Sequence, residues 1–178
     1  TVNAHTFFDI VRKLPNKHSV VIETIEANQI RVVSGPSRFQ IPTLPAEDFR
    51  PLIVGDLPYT FSVDIEKLKD LIMRTRFAMS NEEARYYLNG VYLHIVKEES
   101  SCYLRAVATD GHRLALSQIE APESAQEMPG VVIPKKTILE LSRLLEDAQS
   151  EVVVSLSLTQ VSFQIGCSYI CSRLIDGT

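Results

Sequence analysis

"TILELSRLL" (137–145), "SEVVVSLS" (150–157), "QVSFQIG" (160–166) and "SYICSRLI" (168–175) follow one another along the chain, and their reading decides the fold. The first repeats apolar residues at three- and four-residue spacing, as a helix with one buried face does. The other three alternate apolar and polar residues, as half-buried strands do. The same order stands near the start: "FFDIVRKL" (7–14), stopped by Pro15, then "SVVIETI" (19–25), "QIRVVSG" (29–35) and "SRFQIPTL" (37–44). An offset of 131 residues lays one series on the other without a gap. Phe8 falls on Leu139, Ile10 on Leu141, Leu14 on Leu145, Val21 on Val152, Ile30 on Val161, Val32 on Phe163 and Gly35 on Gly166. Ile41 on Ser172 breaks the apolar match. The shared glycine and the shared order of element types identify an internal repeat, and its period is domain-sized.

A third unit of the same kind lies between the copies. "IEKLKDLIMRTRFAM" (65–79) reads as a helix with Asp64 as N-cap, and "YLNGVYLHIV" (87–96), "CYLRAVAT" (102–109) and "RLALSQI" (113–119) read as strands. The expected organisation is the later half of one domain over residues 1–57 and most of a second over 58–178, with "RPLIVGDLP" (50–58) as the crossing. Short connections favour antiparallel sheets with helices on one face, hence an α+β architecture. Thr1 stands almost at a helix start and "SRLIDGT" stops straight after a strand pattern, so both ends read as cut within a longer protein.

Composition narrows the function classes. The 178 residues are 45% hydrophobic, yet no segment approaches the roughly 20 apolar residues of a membrane span. The start lacks the basic-then-apolar pattern of a secretory signal, so the chain reads as soluble. Cys102, Cys167 and Cys171 form an odd set without CxxC spacing, which favours free thiols in a reducing compartment. Lys and Arg total 18 against 22 for Asp and Glu, a net charge of −4. That argues against a uniformly basic nucleic-acid binder, but a ring can be acidic outside and basic within.

The densest chemistry is in "ATDGHRLAL" (108–116). Asp110 and His112 would need Ser117 or Cys102 as nucleophile, and no strand-turn-helix elbow presents either. The Asp-Gly pair instead reads as a two-residue hairpin turn, which can still set His112 and Arg113 beside a groove. His5, His18, His94 and His112 are too widely spaced for a metal motif and read as surface or packing residues. In "NEEARYYLNG" (81–90), Arg85, Tyr86 and Tyr87 suit a protein groove or a phosphate backbone as well as a tyrosine-rich strand start packed at a domain edge. "IPKKT" (133–137) puts Lys135 and Lys136 at a helix N-terminus, where backbone amides also face anions, or simply in a solvated first turn.

"RYYLNG" (85–90), "ATDGHRLA" (108–115) and "VIPKK" (132–136), in this order and joined by "FFDIVRKLP" (7–15), "SRFQIPTLPAEDF" (37–49) and "LIDG" (174–177), closely resemble the bacterial replicative sliding clamps, the beta subunits of DNA polymerase III. The resemblance covers essentially the whole chain. It implies a DNA-clamp fold of repeated helix-plus-antiparallel-sheet halves, three domains per subunit, and a head-to-tail homodimer closed around duplex DNA. The chain would then hold the second half of the first domain and nearly all of the middle one. The implied function is that of a non-catalytic processivity factor of the polymerase III holoenzyme, cytoplasmic and associated with the nucleoid, with no cofactor, no metal and no membrane. An alternative is a clamp-like protein-interaction module without DNA encirclement.

The resemblance also assigns residues. A groove for short linear peptides of the polymerase catalytic subunit, the clamp loader, and repair and translesion polymerases matches Arg85, Tyr87, Leu88, Thr109, Gly111, His112, Arg113 and Leu114. DNA-facing positions match Glu82, Tyr86, Lys135, Lys136 and Arg38, and the subunit interface matches Phe39 and Ile41. Two departures weaken the expected attraction for DNA: Glu82 stands where a neutral polar residue is common, and His5-Thr6 replace a basic pair.

Overall fold

The computed structural model describes residues 1–26, 28–49, 52–146 and 151–176. The chain divides into two compact units, Thr1–Pro51 and Leu52–Thr178. Arg50 and Pro51 of the expected crossing, the 147–150 connection and the Gly177 of "LIDG" lie outside the described residues.

In the first unit, helix α1 (Ala4–Arg12) starts where the Asn3 side chain accepts the Thr6 amide at 3.0 Å, satisfying a donor that has no partner within the helix. Strands β1 (Val21–Glu26), β2 (Gln29–Ser34) and β3 (Ser37–Pro42) form an antiparallel sheet in the order β1-β2-β3. Leu14, Val32 and Ile41 are its buried core, with Phe7, Ile10, Ile30 and Phe39 packed around them.

The second unit runs β4 (Tyr59–Val63), α2 (Ile65–Met73), β5 (Gly90–Glu98), β6 (Ser101–Thr109), β7 (Leu114–Glu120), β8 (Val131–Pro134), α3 (Lys135–Glu146), β9 (Val152–Leu156), β10 (Gln160–Ile165) and β11 (Ser168–Arg173). Two antiparallel four-stranded sheets result, β7-β6-β5-β8 and β11-β10-β9-β4. Asp64 caps α2 by accepting the Lys67 amide at 3.1 Å. Ile65, Leu68, Leu71 and Ile72 of α2 and Ile138, Leu141 and Leu145 of α3 share one core with inward residues of both sheets, among them Leu104, Val154 and Phe163. No helix among the described residues is long and apolar enough to cross a membrane.

The repeat holds at the level of elements. Helices α1 and α3 start at Ala4 and Lys135, β2 and β10 span 29–34 and 160–165, and β3 and β11 span 37–42 and 168–173, each displaced by the sequence offset. Gly35 and Gly166 turn the matching hairpins with φ of 55° and 53°, a left-handed backbone that glycine adopts without penalty.

The structure differs from the sequence expectation in several elements: α1 spans 4–12 rather than 7–14, and the strand expected from Tyr87 starts at Gly90 because Tyr87 and Leu88 belong to a 3-10 segment. The helix expected to reach Met79 ends at Met73, and residues Arg76–Ala78 form a 3-10 turn. There the Thr75 hydroxyl donates to the Leu71 carbonyl at 2.7 Å, offering that acceptor a side-chain partner in the last turn. Strands β4 and β8 are additional; β8 is four residues long and apolar without alternation, so period two could not mark it. The described part of the crossing is anchored by Gln160, whose side chain accepts from the Gly55 amide and donates to the Ile53 carbonyl, both at 2.9 Å.

Strand β5 opens at Gly90, paired with Pro134, where a Cβ would stand 2.4 Å from the Ile133 carbonyl oxygen. Gly90→Ala is therefore expected to lower the unfolding free energy by about 1–3 kcal/mol, because backbone must move to admit the methyl group. Gly166→Asn, in open space and with a residue that tolerates the left-handed backbone, should cost less than about 1 kcal/mol. Urea denaturation of both variants checks the ranking; equal costs would mean that the β5–β8 approach is not tight.

Candidate functional site

The β6–β7 turn is longer than the two-residue turn expected from the sequence. Thr109 pairs with Leu114, leaving Asp110, Gly111, His112 and Arg113 as a four-residue loop. Asp110 organises it: one carboxylate oxygen accepts the amides of His112 and Arg113, each at 3.0 Å, and the other accepts Arg113 Nε at 2.9 Å. The Thr109 hydroxyl donates to the Arg113 carbonyl at 2.8 Å and accepts the Gly111 amide at 3.1 Å. Gly111 has φ of 88°, the left-handed region in which a side chain is strained.

The backbone amides of Arg113 and His112, followed by the Arg113 side chain, hold the Asp110 carboxyl below its ordinary value. Asp110 is thus committed to the turn and meets His112 through its amide rather than its imidazole. Ser117 lies within β7 opposite Ala106, and Cys102 lies near the other end of β6 opposite Lys97. No nucleophile-base-acid line forms from these residues. No group of three or more metal-ligating side chains occurs among the described residues.

The segment Glu83–Leu88, a pair of 3-10 turns kinked at Arg85 (φ −113°, ψ 52°), forms the facing element. The kink carries Arg85 against the loop, where a Cβ on Gly111 would meet Arg85 Nη1 at 2.7 Å. Arg85 Nε also pairs with Glu82 Oε2 at 3.1 Å. Tyr86 and Tyr87 meet edge to face with centroids 5.9 Å apart, and both are exposed. Leu88 is half-buried, whereas Leu114 and Leu116 are 65% and 51% exposed and leave uncovered apolar surface beside the loop.

The structure therefore gathers Glu82, Arg85, Tyr86, Tyr87 and Leu88 on one segment, and Thr109, Gly111, His112, Arg113 and Leu114 on the loop that Arg85 touches. Lys135 reaches the first segment, its Nζ donating to Asn81 Oδ1 and its amide donating to the Asn89 carbonyl at 2.8 Å. Lys136 is exposed. Arg38, Phe39 and Ile41 belong to β3 of the first unit, where Arg38 is exposed, Phe39 half-buried and Ile41 only 2% exposed. The Ile41 side chain fills the core, so a partner would meet this position through the backbone of an edge strand.

Three residues of the site were not anticipated. Phe77, 57% exposed, lies under Arg113 with the guanidinium carbon 5.7 Å from its ring centroid. Its only signal in the sequence is an aromatic residue out of phase with the buried face of α2. Asn81 and Asn89 flank the 3-10 segment, and the Asn89 side-chain amide donates to the Glu82 carbonyl at 3.0 Å.

Comparison with known proteins agrees along the whole chain. A family model described as DNA polymerase III beta subunit, central domain, matches residues 62–178, and one described as DNA polymerase III beta subunit, N-terminal domain, matches residues 1–53. The chain is 47% identical over 179 aligned residues to the beta sliding clamp of Caulobacter vibrioides, covering 99% of this chain and 48% of that protein. Among solved structures, it is similar to a sliding clamp of Bartonella birtlesii bound to griselimycin, with TM-score 0.92, 44% identity, and coverage of 99% of this chain and 47% of that one. A beta sliding clamp of C. crescentus gives TM-score 0.91 and 46% identity at the same coverage. The chain spans about half the length of the relatives it matches.

The depressed Asp110 carboxyl has a definite consequence for pH. Its stabilisation of the loop is complete above the unfolded-state value and is lost as pH falls through the lower folded-state value. A carboxyl-detected NMR titration should place the Asp110 midpoint below 3.8. A midpoint at or above 3.8 would show that the carboxylate does not hold the loop.

Proposed function

Because this chain belongs to the DNA polymerase III beta-subunit family, the bacterial sliding clamps, we propose that it is part of a processivity factor that encircles duplex DNA and tethers replication proteins through a peptide groove. Residues 1–57 supply the second half of a first clamp domain and 58–178 a middle domain; the full-length subunit closes head to tail with a second copy. The factor acts in the cytoplasm on the nucleoid and makes or breaks no bond.

The observation that carries this reading is modular. A helix followed by three antiparallel strands occurs three times, as α1-β1-β2-β3, α2-β5-β6-β7 and α3-β9-β10-β11. Repeated modules of this kind suit a ring, since each presents a helix and backs it with a sheet. The state of β1 supports the half-domain assignment. Its counterpart β9 is covered by β4, whereas Val21 and Ile22 of β1 are 46% and 54% exposed.

Charge supports encirclement. The three helices together carry no net negative charge, so the acidic excess of a chain at −4 lies in strands and loops. A ring needs no tight contact to stay on its duplex; topology retains it, and a few long cationic or phenolic side chains guide phosphates without reading bases. Lys136, Tyr86 and Arg38, all exposed, fit that task, and Lys135 braces Asn81. The groove would hold apolar peptide side chains against Leu88 and Leu114, with Arg85, His112 and Arg113 fixing polar groups. Its remaining wall belongs to chain beyond these residues.

A clamp-like interaction module without encirclement is the second reading, favoured by the acidic Glu82 among the DNA-facing positions. Loading the full-length protein onto circular DNA and then linearising the circle separates the two. Retention on circles and loss from linear DNA is expected; equal retention on both forms defeats encirclement. For the groove, Leu88→Ala should weaken binding of a fluorescent polymerase-tail peptide to the full-length protein about ten-fold, the scale of one buried aliphatic side chain. His112→Ala should weaken it too, and unchanged affinity in both variants would remove the groove assignment.

A further inference from the structure

Glu82 and Arg85 face each other across the 3-10 segment, and their pairing has a bearing on what the segment can bind. Arg85 Nε lies 3.1 Å from Glu82 Oε2, with both side chains about half exposed. The geometry is built into the backbone. The Ser80 hydroxyl accepts the Glu82 amide at 3.0 Å, the Asn89 side chain donates to the Glu82 carbonyl at 3.0 Å, and the Arg85 amide donates to that carbonyl at 3.3 Å. Meanwhile Arg85 Nη1 rests over Gly111. A guanidinium binds a carboxylate best through two parallel N–H groups, and the edge containing Nε is one such fork. One oxygen of Glu82 already lies beside that edge, in ion-pair contact with Nε.

We propose that Glu82 is an internal competitor for Arg85: its carboxylate holds the edge that a carboxylate of a bound partner peptide would take, and so lowers the groove's affinity for acidic peptides relative to neutral ones. This rests on the assignment of Arg85 to the peptide groove. A carboxylate ligand must displace Glu82 and leave it unpaired beside the incoming charge, whereas a neutral ligand leaves the pair intact. Glu82 thereby acts as a specificity determinant through repulsion of the wrong partner. Because the pair is solvent-accessible, its effect is small and is screened by salt.

The test uses full-length protein without DNA and three fluorescent versions of one polymerase-tail peptide. The first carries a glutamate beside its apolar anchors and an amidated C-terminus, the second glutamine and a free C-terminal carboxylate, and the third glutamine and an amidated C-terminus. Glu82→Gln is expected to tighten binding of the first or the second by about two- to five-fold at low salt and to leave the third unchanged. Whichever of the first two responds identifies the source of the carboxylate. Adding Arg85→Gln should abolish the gain. A gain shared by all three peptides, or none for any while Arg85→Gln alone weakens binding, overturns the competitor role but keeps Arg85 in the groove. If Arg85→Gln alone changes no affinity, the groove assignment of Arg85 fails, and the competitor role with it.

Discussion

The second unit is held together by an exchange of strands. Strand β4 precedes α2 in sequence but pairs with β9, completing the sheet of the α3 module. Strand β8 precedes α3 but pairs with β5, completing the sheet of the α2 module. Each module therefore lends its leading strand to the other, and neither sheet has all four strands until both modules are in place. The exchange brings Phe61 and Val63 of β4 and Val131 and Ile133 of β8 into one core with both helices. It also pairs the outer backbone of β9 and β5, leaving the short strands β4 and β8 as the edges of the two sheets.

The same exchange places the candidate site. Gly90 lies opposite Pro134, and immediately before them the Asn89 carbonyl accepts the first amide of α3 while the Asn89 side chain fastens Glu82. One asparagine thus joins the start of β5, the N-terminus of α3 and the 3-10 segment that carries Arg85. The loop of residues 110–113 meets that segment from the far end of the hairpin, and glycine at 111 is what lets Arg85 come close. Positive φ and the nearness of Nη1 make the same demand on this position, so a side chain there would strain the backbone and displace the guanidinium.

Much of this was legible in the sequence, for physical reasons that differ by element. Amphipathic helices and alternating strands are periodic, so α1, α3 and the three strands after each could be read directly, and the offset repeat made each reading a check on the other. Strand β8 escaped because its four residues are apolar without alternation, whereas β4 alternates but lies outside both copies of the repeat, so no second copy pointed to it. The end of α2 escaped because buried apolar positions continue at Ala78 and Met79 after the helix has ended at Met73. Motif residues of the candidate site were assigned through family resemblance, whereas Phe77, Asn81 and Asn89 make contacts that one sequence does not display. The length of the 110–113 loop was misjudged because Asp-Gly favours a two-residue turn, while here the Asp110 side chain organises two further residues.

That organisation separates recognition from catalysis at this site. A general base needs an oxygen or nitrogen free to take a proton from a reacting group, held near a nucleophile. Asp110 accepts three hydrogen bonds from its own loop and is held in its charged form, so its role is to fix backbone. The groups left facing solvent are the His112 imidazole, guanidinium forks, phenol rings and aliphatic surface. Groups of these kinds serve recognition through shape, charge and desolvation. Arg113 is paired with Asp110 and Arg85 with Glu82, so each cation carries its own carboxylate before any ligand arrives. Net attraction for a phosphate or carboxylate at these two arginines is thereby moderated locally, which is in keeping with the sliding and partner exchange proposed above.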